Sequence, residues 1–219
     1  RVHLGDWGGA VTDAAAVPTS FVYEMPYYDR DQTEFNRIFH AGDNTPYKTH
    51  TVWGTLYEEY YTSSGDPRVS WEDTGFNGDG GIDCCGIVPF YRQQKFTSRA
   101  APINLSSGPE MRLIEAEAAL NQGDWEEAME IINALRAAEG VDPWPASNAT
   151  EAWTRLKRER GIVLWMEGRR LGDFYRWNAA GTPGELDPLE VVSPESHLLN
   201  QDLCFPISQA EIDRNPNIG

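Results

Sequence analysis

"EAEAALNQGDWEEAMEIINALRA", Glu115–Ala137, is made of two amphipathic helical runs with a stop between them. Upstream of the stop, Met111, Leu113, Ile114, Ala118 and Leu120 give the first run an apolar side. Pro109 suits that helix's first turn, where the amide it lacks has no intrahelical partner. Asn121-Gln122-Gly123 ends the run. Asp124 then caps the next helix, and Glu127 three residues on completes a box-like N-terminus. Trp125, Ala128, Met129, Ile132 and Leu135 share one face of this second helix, which stops at Gly140. Ala116, Ala119 and Ala128 are small where two helices must approach closely, while Trp125 and Leu135 fill the gaps.

This helix–turn–helix, over 109–139, has the pattern of a tetratricopeptide unit. One such unit cannot bury its own face and needs neighbours to stack on. A third helix, beginning near Thr150 and running to Met166 and on to Trp177, supplies one surface, and other partners are expected outside this chain. "VDPWPASNA" between the second and third helices is a loop stiffened by two prolines. Residues 1–100 differ in character, being rich in Gly, Pro, Thr, Tyr and Trp with few helical periods. Val52–Arg68 is the helix expected there, ending in the turn Ser64-Gly65-Asp66-Pro67, and Gly86–Phe96 reads as extended chain that Pro89 confines to an edge. The expected fold is therefore mainly α: tetratricopeptide-like packing in 101–219, preceded by an irregular, loop-rich part in 1–100.

The chain has 219 residues, a formal charge of -16 and a pI near 4.5. That balance excludes a nucleic-acid footprint and an anionic membrane surface, both of which need basic patches. No apolar run reaches transmembrane length. The first residue is Arg1 rather than Met, and a preceding segment is expected. Cys84, Cys85 and Cys204 fit no CxxC metal spacing; a bridge from Cys204 to Cys84 or Cys85 is open in an oxidising compartment. "FNGDGGID" (Phe76–Asp83) has the look of a calcium loop, with Asn77, Asp79 and Asp83 as weak ligand candidates, but it lacks the bidentate Glu, so a solvated turn and no cofactor are expected. The four histidines are scattered, and no nucleophile elbow, zinc motif or phosphate loop occurs. No enzymatic activity is expected.

"RERGIVLWMEGRRLGDFYRW" (Arg158–Trp177) concentrates arginines and large rings in an acidic chain. Read as one helix, it places Glu167 with Arg170, Arg169 with Asp173, and Asp173 with Arg176 at three- or four-residue spacing, a ladder of local ion pairs. Ile162, Trp165, Met166 and Phe174 form its buried face, and Gly168 and Gly172 admit a neighbouring backbone. Glu167, Arg169, Arg170, Asp173 and Arg176 are thus expected to be structural, since an arginine fork pairs with carboxylates while its stem packs on rings.

Three motifs in series carry a resemblance: "PEMRLIEAEAALNQGDWEEAMEIINALRA"; then Glu167-Gly168-Arg169-Arg170 with Asp173-Phe174-Tyr175-Arg176-Trp177; then Phe205-Pro206-Ile207 with Glu211-Ile212-Asp213-Arg214-Asn215-Pro216. In order and spacing they resemble the C-terminal part of the SusD/RagB family, surface glycan-binding lipoproteins of Bacteroidetes-type bacteria. The resemblance covers 86–219, and weakly 50–85. It implies capture of an oligosaccharide or other nutrient at the outer-membrane surface and delivery to a SusC-like TonB-dependent transporter. It further implies a missing N-terminal half that holds the lipid anchor. Binding would then proceed without chemistry, rings stacking on sugar faces. The ring-rich candidates are Trp7, Tyr27, Tyr28, Trp53 and Trp71, in the half where loops expose side chains. The alternative is a tetratricopeptide-type protein–protein adaptor or surface-assembly subunit.

Overall fold

The computed structural model describes residues 1–43, 48–78, 88–185 and 214–215. Seven helices dominate it: α1 (Trp7–Ala15), α2 (Arg37–Asp43), α3 (Leu56–Ser64), α4 (Gly108–Gln122), α5 (Trp125–Ala138), α6 (Ala149–Val163) and α7 (Arg170–Ala180). Two antiparallel ribbons accompany them. β1 (Val22–Met25) pairs with β4 (Ile103–Ser107), and β2 (Trp71–Asn77) with β3 (Pro89–Gln93). β3 is the extended stretch foreseen around Pro89.

The α4–α5 hairpin forms as its sequence dictates. Ser107 caps α4 by accepting from the Glu110 amide, and Gly123 ends it at φ 89°, a conformation without penalty only for glycine. The Asp124 carboxylate accepts from the Glu127 amide at the start of α5. α6, capped by Asn148, packs on both helices of the hairpin. Leu113, Ala116, Leu120, Ala128, Ile132, Leu135, Trp153, Leu156, Phe174 and Trp177 interlock in the core they share with α7. This is the tetratricopeptide-like packing expected, with α6 as the stacking surface. α1 lies on the other side of α4 through buried Ala10 and Ala14, and Arg112 of α4 donates to the carbonyls of Ala14 and Val17 at the end of α1. Gly108 is held against the carbonyls of Pro18 and Thr19, leaving no room for a side chain there.

The long third helix does not form. α6 ends at Val163, and the chain turns through residues 164–169 before α7 begins. Met166 (φ 62°) and Gly168 (φ 76°) adopt left-handed backbone, which a continuous α-helix cannot contain. Lys95 secures the turn, its ammonium donating to the Trp165 carbonyl (2.8 Å) and pairing with Glu167 (2.7 Å). Gly168 is thus a turn residue rather than a packing glycine, whereas Gly172 does meet a neighbour, the His3 ring.

With the helix broken, most of the local charge ladder is replaced by long-range pairs. Of the expected pairs, Asp173–Arg176 forms at 2.8 Å. Glu167 turns to Lys95 and Asn104, Arg169 to Glu110 and Arg176 to Glu117, while Arg170 lies 4.7 Å over the Phe174 ring. Asp173 also receives a two-pronged bond from Arg160, which is buried beneath it. Burial by itself pushes the Asp173 carboxyl up, and Arg160 and Arg176 more than offset this, holding it below the ordinary 3.8.

Candidate functional site

A second cluster of rings sits beside the helical core. Val52, Val69, Ile162 and Trp165 are buried there, with Tyr57, Tyr60, Tyr61, Trp71, Tyr91 and Trp144 packed around them. α3 carries three of these tyrosines on a helix that starts after Thr55 and ends at Gly65, φ 66°. The outer face of α3 and the connection between α5 and α6 form the walls of an open groove of about 480 Å³. Leu56, Glu59, Tyr60, Ser63 and Ser64 line one side, and Asp142, Pro143, Trp144, Pro145 and Arg158 the other, with Arg136 also in the lining.

Trp144 is the fixed element of that groove. Prolines on either side set the φ of the flanking residues. Asn133 of α5 then engages both backbone groups of Trp144, accepting from its amide (2.8 Å) and donating to its carbonyl (3.2 Å). The indole N–H donates to Glu159 at 3.0 Å. The Arg136 guanidinium lies 3.9 Å from the ring centre and Tyr60 packs at 5.7 Å. A side chain held at so many points keeps its place when the groove is empty, so little ordering cost accompanies binding.

Below the groove runs a buried charge network. Glu159, fully buried, accepts from Arg68 (2.5 Å), Arg136 (2.9 Å) and the Trp144 indole. Arg68 also forks onto Asp66, which accepts from the Tyr60 hydroxyl (2.8 Å). Burial alone would lower the Arg68 pKa, but Asp66 and Glu159 hold it above the ordinary value. Burial alone would raise Asp66, yet Arg68 and the Tyr60 hydroxyl keep its carboxyl below 3.8. Tyr60 is pushed up by burial, with Arg136 opposing, so it stays a donor at neutral pH.

The depressed carboxyls give a pH dependence. Asp66 and Asp173 bind protons more weakly folded than unfolded, so their contribution is complete above their unfolded values. It is lost as pH falls through the lower folded values. Melting temperature is expected to hold between pH 7 and about 5 and to fall steeply below about 4. Asp66→Asn should flatten part of that acid limb.

The ring candidates lie elsewhere. Trp7 is half-buried on α1. The Tyr27 hydroxyl meets the Met25 sulfur at 4.0 Å, and exposed Tyr28 stacks under Arg30 at 4.6 Å. Trp53 is half-buried in the turn before α3. Trp71 lies flat against Tyr91, ring centres 4.4 Å apart, and edge-on to Tyr61. None of the five lines the groove. Its own residues were missed, and the signal that marks them is a tryptophan between two prolines in a short inter-helix loop. Asn77 ends β2; Asp79, Asp83, all three cysteines and most of the closing motif lie outside the described residues. Among the described residues no cluster of three His, Cys, Asp or Glu is poised for a metal.

The sequence model of the SusD family matches residues 109–219, and the chain belongs to that family. A SusD-like carbohydrate binding protein from Bacteroides vulgatus shares its fold, with TM-score 0.53 and 18% identity over 78% of this chain and 41% of that one. A SusD-like protein from Bacteroides fragilis is similar at TM-score 0.39 and 23% identity, over 45% of this chain and 21% of that one. The chain therefore spans less than half the length of either solved relative. No curated protein sequence matches it.

Proposed function

We propose that this chain captures an oligosaccharide in the groove between α3 and the α5–α6 connection, without chemistry on it. The supporting observation is the locked Trp144, set between prolines and beside carboxylates and hydroxyls in an open groove. Leu56, Pro143, Pro145 and the part of Trp144 that Arg136, Arg155 and Tyr60 leave open suit the C–H side of a sugar, while Glu59 and Asp142 match its hydroxyls. The solved SusD-like carbohydrate binding protein of the same fold favours this class of ligand. Membership of the SusD family supports the further proposal that the chain works at the outer-membrane surface and passes the sugar to a SusC-like TonB-dependent transporter. Among the described residues no helix is long and apolar enough to cross a membrane. Tyr28, the exposed ring among the five sequence candidates, is proposed as an additional contact for a long glycan; Trp7, Tyr27, Trp53 and Trp71 are half-buried, and Trp71 has one face covered by Tyr91.

Ser63→Trp tests the groove. Ser63 is exposed on the last turn of α3, where its hydroxyl donates to the Tyr60 carbonyl (3.0 Å). A bulky ring there fills the groove and leaves stability within about 0.5 kcal/mol. Calorimetric titration with an oligosaccharide panel is expected to show affinity falling by about tenfold or more. Unchanged affinity for every bound sugar would place the site elsewhere.

A further inference from the structure

Arg136 of α5 brings to the groove a hydrogen-bond donor that the fold does not use. The side chain lines the groove although only 3% of it is exposed. Its Nε donates to the Asp142 carbonyl (2.7 Å), and Nη1 donates to the Tyr60 hydroxyl (3.0 Å) and to Glu159 (2.9 Å). Nη2 has no partner among the described residues, and unlike Nη1 of buried Arg160 it is not enclosed by protein. The guanidinium is not free to turn and spend it. The carbonyl, the phenol and the carboxylate fix its plane, and the Trp144 ring centre lies 3.9 Å from it. Arg68, on the other side of Glu159, is the contrast. Its Nε and Nη2 go to Asp66 and its Nη1 to Glu159, so each nitrogen is used.

We infer that Arg136 is a specificity-determining residue of the groove, its Nη2 reading one hydroxyl oxygen of a bound neutral sugar; the assignment rests on the glycan-capture reading above. The bond is charge-assisted from the donor side, and its direction is set before the ligand arrives. A ligand that displaces the water on Nη2 must return an acceptor, since an unmade bond on a nearly enclosed donor is costly. An analogue lacking that hydroxyl is therefore rejected more strongly than one that merely fits the groove less well. The Arg136 charge is already balanced, in a network that sets Arg68 and Arg136 against Asp66 and Glu159. A neutral oxygen thus suffices, whereas a ligand carboxylate adds an uncompensated charge to a chain of net charge -16.

The test titrates maltotetraose, cellotetraose and mannotetraose into the 219-residue chain and compares the tetramer that binds with its monodeoxy analogues. One deoxy position is expected to lower affinity by about tenfold. In Arg136→Lys, which keeps a cation for Glu159 but has no Nη2, removal of the same hydroxyl should change affinity by less than about twofold, so the cycle isolates this contact. Melting temperature shows whether that variant folds. If it does not, arginine side-chain NMR of the unsubstituted chain decides: saturating sugar should shift the Arg136 Nη signals and leave those of Arg68 in place. Affinity that survives every single deoxy substitution, or Arg136 signals unmoved at saturation, overturns the assignment and leaves glycan capture standing. A galacturonic acid tetramer that outbinds the neutral ones also overturns it, since the groove then takes a carboxylate. Failure of every neutral tetramer and of the uronate removes the glycan reading together with this one.

Discussion

Replacing Glu159 by alanine is expected to remove a large share of the protein's stability. The carboxylate is fully buried and satisfies three donors at once, on Arg68, Arg136 and Trp144. Taking it away leaves Arg136 buried and short of its anion, and Arg68 with Asp66 alone. Breaking a buried pair from one side costs about 3–5 kcal/mol, because the remaining charge cannot return to water. Against a typical total of about 5–15 kcal/mol, that is a large share. Urea unfolding should show the midpoint moved down with little change in slope. Glu159→Gln should lose less, since its amide oxygen still accepts. The groove should suffer with the fold, because Glu159 holds the Trp144 indole. A loss under about 1 kcal/mol for Glu159→Ala would mean that the network is solvated and ordinary surface pairing describes it.

Asp173→Ala is the second large effect. Asp173 joins Arg160 of α6 to Arg176 of α7, and Arg176 in turn binds Glu117 of α4, which also accepts from the Trp177 indole. Three helices thus meet on one carboxylate and its neighbours. Without it, Arg160 is left buried and short of the carboxylate it forks onto, again at about 3–5 kcal/mol. Sugar affinity measured below the melting transition should hardly move, because no atom of this network reaches the groove. Arg169→Ala should cost much less, since Arg169 and Glu110 are both partly open to water. Lost affinity with unchanged stability in Asp173→Ala would give this network a ligand-binding role instead.

The α4–α5 hairpin was legible because its signals are local. Asp124 bonds the Glu127 amide three residues away, and Gly123 supplies the left-handed stop. The break between α6 and α7 was not. No proline marks it, Glu167-Gly168-Arg169-Arg170 reads as helix, and the turn is held by Lys95, a residue 72 positions from Glu167. That Arg169 and Arg176 pair with carboxylates could be read from residue type, yet their main partners lie 59 residues upstream, at Glu110 and Glu117. Spacing along a helix carries no information about such pairs. The groove was hidden for the same reason: Tyr60 and Arg136, 76 residues apart, meet only in the folded chain. Ring-rich composition directed attention to the first hundred residues, whereas the best-anchored ring, Trp144, lies between two helices of the second part.

A crystal of the chain soaked with a bound oligosaccharide tests the central claim most directly. The account predicts sugar density in the groove, over the Pro143–Trp144–Pro145 wall and within hydrogen-bonding distance of Glu59 or Asp142. Density seated instead on Trp7, Tyr27, Tyr28, Trp53 or Trp71, with the groove left to solvent, would contradict it.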